Sequence, residues 1–383
     1  MASDIVTTPE LQRGLEFLDQ HLQDVIDEAI RICEVPAPPF QESRRAAFVA
    51  DRMHSLGLEP LRRDAEGDVI CELPGAGGRP VVALTAHLDT VFGPEVSPTV
   101  RRDGPRLHAP GIGDNSLAVA SMLWLGRVLA DVPGRGTLIL AANVGEEGLG
   151  NLRGARALWA QFGASADAWV ILEGAMFNHP SCVGICVRRL SITYRGPGGH
   201  SWSDFGRPSA VHALGRLIDQ IAQIHVPAEP RTTYNVGVIQ GGRTVNTIAP
   251  QASLILDLRS EEPGALAALE GNVRGLTAGI AGAAGVTAEI EVLSDRAGGR
   301  LPAGHSLIRL VEEAGAAVGV PPTWKSSSTD ANVALSHGAA AVCLGLAVGD
   351  NLHAEDEVLD VTLLPQGLRQ AFLVTAMLLL GRT

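Results

Sequence analysis

Two hydrophobic runs constrain this chain most, because each one ends in residues that bind metal ions. Val81-Val82-Ala83-Leu84-Thr85-Ala86 runs into His87-Leu88-Asp89, and Leu138-Ile139-Leu140-Ala141-Ala142-Asn143-Val144 runs into Gly145-Glu146-Glu147. An apolar run of that length, bounded by glycine or proline, reads as a buried strand, and ligands of open α/β sheets collect beyond the carboxyl ends of such strands. The pattern puts two strand ends over one crevice. Between them lies Gly111-Ile112-Gly113-Asp114-Asn115, after them Val170-Ile171-Leu172-Glu173, and near the C-terminus Asn351-Leu352-His353. Two histidines and three spaced carboxylates, with a further carboxylate beside one of them, meet the needs of two zinc ions when one carboxylate bridges them.

At 383 residues the chain exceeds what one core usually carries, so two domains are expected. A hydrophobic content of 46% with 19% charged residues excludes disorder. The net charge of −12, with no long Lys/Arg cluster, argues against nucleic acid or an anionic membrane surface as partner. The five cysteines form no Cys-x-x-Cys pair, so neither a disulfide framework nor a cysteine zinc site is expected, and a reduced cytoplasm suits them. Cys182 and Cys186 bracket the start of an apolar strand and read as buried thiols. Met1-Ala2-Ser3-Asp4-Ile5 lacks the basic and apolar regions of a secretory signal, and the longest apolar stretches fall short of the ~20 residues that span a bilayer. The expectation is a soluble, cytoplasmic protein.

Thr8-Pro9-Glu10 opens a helix that carries Leu15, Leu18, Leu22, Val25, Ile26 and Ile30 at helical spacing and ends before Pro36. A second helix from about Ser43 leads into alternating strand, turn and helix up to about Gly184, the rhythm of a parallel or mixed sheet covered by helices. The texture then changes. Strands near 183–194, 233–240, 252–259 and 286–293, with helices near 209–223 and 263–281, suit a small α+β sandwich with helices on one face. From His305 the α/β rhythm returns and ends in a long helix from about Thr362, so the middle reads as an insertion.

The ordered set resembles the M20 family of metallopeptidases, the co-catalytic zinc enzymes that include carboxypeptidases, aminoacylases, acetylornithine deacetylases and peptidase T. The resemblance covers nearly the whole chain up to Leu352-His353-Ala354-Glu355-Asp356-Glu357, and includes Gly199-His200-Ser201 and Gly242-Arg243-Thr244-Val245-Asn246. It implies an α/β fold, a zinc-peptidase-like mixed sheet sandwiched by helices from residues 1–184 and 298–383. Residues 185–297 would be an inserted α+β lid that also carries a dimer interface.

Each candidate residue has a plainer reading. His87 and Asp89 point to the same side of a strand, so the carboxylate can accept the other imidazole N–H; the alternative is an ordinary His-Asp bond at a strand end. Asp114 matches the family's bridging carboxylate, while Asp114 or Asn115 could cap the helix that starts with Leu117. The family commonly has an aspartate at the position of Asn115 and often a lysine at that of Ser116, so this chain departs there. By resemblance the peptide bond between Asp114 and Asn115 is cis. Glu146 and Glu147 are adjacent, so their carboxylates diverge and one can bind metal while the other faces substrate. By resemblance Glu146 is the general base that activates the attacking water and Glu147 is the ligand. His87, Asp114 and Glu173 would hold one zinc, and Asp114, Glu147 and His353 the other, with Co2+ or Mn2+ as substitutes. Two Zn2+ against three carboxylates leave one positive charge for a hydroxide to close.

In the insert, His200 resembles the family histidine that reaches the partner subunit's site and stabilises the oxyanion. Asn246 and Arg259 resemble residues that hold the substrate's polar end, and a guanidinium fork suits a carboxylate. Arg259 could equally pair with Asp257 or Glu261 on the surface. The leading expectation is hydrolysis of N-acyl amino acids or short peptides with a free C-terminal carboxylate, without a covalent intermediate, by a homodimer. A glutamate at position 173 tends to accompany carboxypeptidases and deacylases, and an aspartate there aminopeptidases. The alternatives are a di- or tripeptide aminopeptidase resembling peptidase T, or a non-catalytic binding relative that has lost its metals. No glycine cluster forms a nucleotide-binding turn.

Overall fold

The computed structural model describes residues 8–382, so the reading of Met1 to Ile5 lies outside it. The chain divides into two compact units, one formed by the residues up to Gly184 and those from Arg300, the other by Ile185–Gly299.

The first unit is built on a six-stranded sheet in the order Leu61–Arg63, Val69–Leu73, Thr137–Asn143, Val81–His87, Ala168–Phe177, Ala341–Gly345. The last four are mutually parallel, and Val69–Leu73 runs antiparallel to both of its neighbours, which makes the sheet mixed. The parallel strands are buried along almost their whole length, which is why they read as unbroken apolar runs rather than alternating ones. Successive side chains face opposite ways. Leu140 lies against Gly126 of helix Leu117–Ala130, whereas Thr85, Trp169 and Ile171, on the other face, meet Leu158 and Trp159 of helix Arg153–Phe162. Helix Leu117–Ala130 is buried nearly all round, the pattern of a helix inside a core.

The helix expected from Pro9 through Ile30 is two helices, Pro9–Gln20 and Leu22–Cys33, broken at His21. His21 leaves the helical region at φ −104, ψ 14, its ring stacking on Trp124 at 4.8 Å and its Nδ1 lying 2.7 Å from Asp24. Helical periodicity does not register such a break, because the apolar spacing survives it.

A second, four-stranded antiparallel sheet in this unit joins Val348–Asp350, Val358–Asp360, Arg106–His108 and Arg101–Asp103 in that order. The loop between its first two strands carries His353 and Glu357.

The second unit is an antiparallel sheet in the order Thr232–Gly241, Gln251–Ser260, Cys186–Arg195, Thr287–Arg296, with helices Ala210–Ala222 and Pro263–Ala284 packed on it. Burial alternates along Gln251–Ser260, as a sheet with one covered face requires. Leu190, Ile192, Leu256 and Leu258 meet Leu214, Leu217 and Val273 in a core of their own. All five cysteines are buried free thiols. Among the described residues no helix is long and apolar enough to cross a membrane.

Candidate metal centre

His87 is the last residue of its strand, and its parallel neighbour ends at Asn143, so the turn through Val144 and Gly145 delivers Glu146 and Glu147 to the same edge. Glu173 arrives on the strand that flanks His87 on the other side. His87 Nε2 lies 3.1 Å from Asp114 Oδ1 and 3.7 Å from a Glu173 oxygen. His353 Nε2 lies 2.9 Å from Asp114 Oδ2 and 3.2 Å from Glu147 Oε1. The two oxygens of Asp114 thus face two different histidines, each with a further carboxylate beside it.

These spacings suit metal ions. Two ligands held at ~2.0–2.1 Å from a tetrahedral cation sit roughly 3.3 Å apart, and the N···O separations here run from 2.9 to 3.7 Å. His87, Asp114 and Glu173 offer donor atoms within 4.8 Å of one another, as do Asp114, Glu147 and His353, and His87 with Glu146 and Glu147. Asp114 Oδ1 is buried without a hydrogen bond, an atom a cation would satisfy. Imidazole with carboxylate is a donor set for zinc and its first-row neighbours.

The electrostatics point the same way. Burial opposes a charge on His87, yet Asp114, Asp89 and Glu173 outweigh it and raise its pKa. Contacts with Asp114 and Glu147 push His353 up to about 10. Burial, reinforced by the charge of Asp114, lifts Glu147 to about 8; burial lifts Glu173 to about 7, with Asp114 again adding. Asp114 is itself held well below the usual carboxylate range, because the two histidines overcome its burial. Carboxylates this crowded about two imidazoles make a site whose repulsion divalent cations relieve.

Asp89 lies beside the imidazole as expected, but its carboxylate does more than face His87. His87 Nδ1 faces the backbone carbonyl of Asp89 at 3.0 Å, with the carboxylate farther away at 3.6 Å. The carboxylate also accepts the backbone N–H groups of Glu146 at 3.0 Å and Glu147 at 2.8 Å. A carbonyl at Nδ1 still leaves the Nε2 lone pair for a metal. Asp89 therefore ties two strand ends together through the backbone of the glutamate pair.

The loop that carries Asp114 is held from both sides. Its peptide bond to Asn115 is cis. Neither Asp114 nor Asn115 caps the following helix. Asn115 Nδ2 donates to Leu172 O at 3.0 Å and its Oδ1 accepts from Gly174 N at 2.8 Å, bracketing Glu173. An amide both donates and accepts, so the departure from aspartate lets one side chain grip both neighbours of Glu173. On the other side, Glu357 accepts the N–H groups of Gly111 at 3.0 Å, Gly113 at 2.7 Å and Asp114 at 3.1 Å. Sequence reasoning assigned Glu357 no role, its only signal being its place in the motif after His353. It likewise missed the buried Arg45, which donates to the carbonyls of Val35, Cys33 and Leu88, and the Asn143–Asp330 bond of 2.7 Å.

The three insert residues belong to the second unit. His200 Nδ1 accepts the N–H groups of Trp202 and Ser203 at 3.2 and 3.4 Å, which leaves Nε2 to carry the proton. His200 pairs with Thr247, and Asn246 O accepts from Ser201 N at 3.0 Å, so His200 and Asn246 are neighbours. Arg259 Nε donates to Asp257 Oδ2 at 2.7 Å, and Arg189 Nε to the other oxygen at 3.0 Å.

The peptidase family M28 model matches residues 68–185, and the peptidase dimerisation domain of the M20 group matches residues 188–281. Acetylornithine deacetylase of Myxococcus xanthus is 25% identical over 334 residues, 81% of this chain and 83% of that protein. The solved aminopeptidase PepT of Bacillus cereus superposes with a TM-score of 0.77 at 21% identity, over 93% of this chain and 98% of that one. YxeP of Bacillus subtilis, described as a dinuclear metal binding peptidase from the M20 family, superposes with a TM-score of 0.69 at 18% identity, over 93% and 98%. A peptidase model over the strand-borne carboxylates followed directly by the M20 dimerisation domain, on a fold shared with these peptidases, supports a hydrolase of the M20 metallopeptidase type.

Proposed function

We propose that the chain is a dizinc amide hydrolase that cuts N-acyl amino acids or short peptides beside a free C-terminal carboxylate. The observation that carries this reading is the sharing of Asp114 between two histidine-carboxylate groups. His87 and Glu173 would complete one zinc site and Glu147 and His353 the other. When bound, the cation pair makes water acidic enough to attack near neutral pH and polarises the scissile carbonyl.

The chain's own residues do the rest. Glu146, beside the ligand Glu147 and held through its backbone N–H by Asp89, takes the proton of the attacking water and returns it to the departing nitrogen. Asp89 positions both glutamates. His200, with its proton on Nε2, is the donor toward a developing oxyanion, acting in the partner subunit of a homodimer formed through the insert. Asn246 and Arg259 hold the substrate carboxylate. Five buried free thiols suit a reducing cytoplasm.

An aminopeptidase reading is favoured by one observation, the likeness to PepT and to a tripeptidase of Staphylococcus aureus, the latter at a TM-score of 0.80 and 19% identity over 93% of this chain and 98% of that one. Substrate pairs that differ only in a blocked amino or a blocked carboxyl terminus decide between the two. The zinc-loaded protein should cleave the amino-blocked member and spare the carboxyl-blocked one. The opposite preference would make it an aminopeptidase, and metal analysis finding fewer than two ions per chain would end the dizinc reading.

A further inference from the structure

The loop that supplies His353 also returns a second side chain to the metal-binding turn. We infer that Glu357 is the positioning residue of the Asp114 loop, its carboxylate gathering the backbone N–H groups of Gly111, Gly113 and Asp114 so that both oxygens of Asp114 are presented to metal. The inference rests on the reading of Asp114 as a shared ligand.

Glu357 is completely buried, and three backbone donors converge on its two oxygens at 2.7, 3.0 and 3.1 Å. Its own carbonyl accepts Ala109 N at 3.2 Å, and the next residue, Val358, pairs with His108, so the clamp is anchored to a sheet. Glycine suits the turn where the clamp closes. Gly111 sits at φ +79, and a Cβ on Gly113 would approach Glu357 Oε1 to 3.1 Å. His353 lies four residues earlier in an exposed loop at φ 67 and meets Asp114 Oδ2 at 2.9 Å. One loop therefore holds Asp114 by its side chain through His353 and by its backbone through Glu357.

The charge argues for a role beyond holding a turn together. Among the described residues no arginine, lysine or histidine forms an ion pair with Glu357, and Asp114 is a neighbouring anion. A buried carboxylate beside another carboxylate is costly unless positive charge lies close by. Cations held by Asp114 would supply that charge. A glutamine could fill the same volume but would turn an N–H2 group toward N–H donors, losing an acceptor and setting donor against donor.

The test is a titration of the metal-stripped full-length protein with Co2+ alone, followed by calorimetry and by the visible d–d bands that report coordination geometry. Glu357→Gln should weaken cobalt binding by roughly 10- to 100-fold and alter the band shape. A purely structural Glu357 would lower the melting temperature of the stripped protein while leaving cobalt affinity and spectrum as in the wild type, and that result would overturn the inference. Should Glu357→Gln fail to fold, Glu357→Asp, which keeps the charge and shortens the reach by one methylene, is read the same way: weakened cobalt binding supports the clamp, and wild-type binding overturns it. A wild-type protein that takes up no cobalt would instead sink the metal-centre reading itself.

Discussion

His353 Nε2 lies 2.9 Å from Oδ2 of Asp114 across 239 residues of chain. Contact of an exposed histidine with a nearly buried carboxylate over that separation brings the C-terminal loop back over the strand ends. The centre is thus assembled from segments of the chain on both sides of the insert.

The two adjacent glutamates should separate by measurement. Glu146→Gln should fold and keep metal but lose turnover by about 10²–10⁴-fold, because the amide is nearly isosteric yet cannot take a proton from water. Glu147→Gln should lose metal, since its oxygen is the one 3.2 Å from His353. Metal content and kcat measured on both variants check this, and the reverse pattern would exchange the two roles.

A second expectation concerns stability against pH. Asp68 is buried, and burial, aided by the charges of Asp64 and Asp330, pushes its carboxyl up to about 8, although the N–H of Val144 at 2.9 Å opposes the shift. An unfolded aspartate titrates near ~3.9. The folded chain therefore binds more protons than the unfolded one between these values, so this contribution is fully present below about pH 4 and is lost as pH rises toward 8. Asp68→Asn should gain stability relative to the wild type as pH increases from 5 to 8. Melting temperatures of both proteins, metal-loaded, are the measurement; a difference that stays flat with pH would show that Asp68 is not the source.

How far the sequence reaches depends on what each residue touches. The parallel strands are legible because burial on both faces leaves no polar position to interrupt Val82 to Ala86 or Leu138 to Ala142. The polar residues that close those strands are legible as neighbours, since parallel pairing of His87 with Asn143 puts both strand ends at one edge of the sheet. Glu357, Asn115 and Arg45 are not, because each acts on backbone N–H or C=O groups of distant segments, and a backbone group carries no sequence label. Asp89 is the intermediate case. Its spacing from His87 suggests a histidine partner, while its carboxylate bonds to Glu146 and Glu147, 57 and 58 residues on.

Arg259 carries a prediction about the substrate. Asp257 engages it through Nε, which leaves the two terminal nitrogens as an end-on fork, the geometry that takes a carboxylate. Arg259→Ala should raise KM for a substrate with a free C-terminal carboxylate by roughly 10- to 100-fold, the size of a lost charged hydrogen-bond pair, and leave an amidated analogue unaffected. Equal effects on both substrates would return Arg259 to the surface ion pair that its contact with Asp257 also permits.

The last prediction concerns His200, whose ring is fixed as an Nε2–H donor by two backbone N–H groups at Nδ1. If that donor serves the partner subunit, activity needs a dimer, and two inactive variants should complement each other. Glu146→Gln lacks the base, and His200→Ala lacks the donor. A mixed dimer then contains one site with both an intact Glu146 and an intact partner histidine, whereas each parental dimer contains none. Exchange of subunits between the two variants should therefore restore activity toward one quarter of the wild-type level, the share expected when half the dimers are mixed and one of their two sites works. Exchange confirmed by mass with no recovery would place His200 in its own subunit's chemistry or outside catalysis, because complementation has no other requirement that the mixed dimer fails to meet.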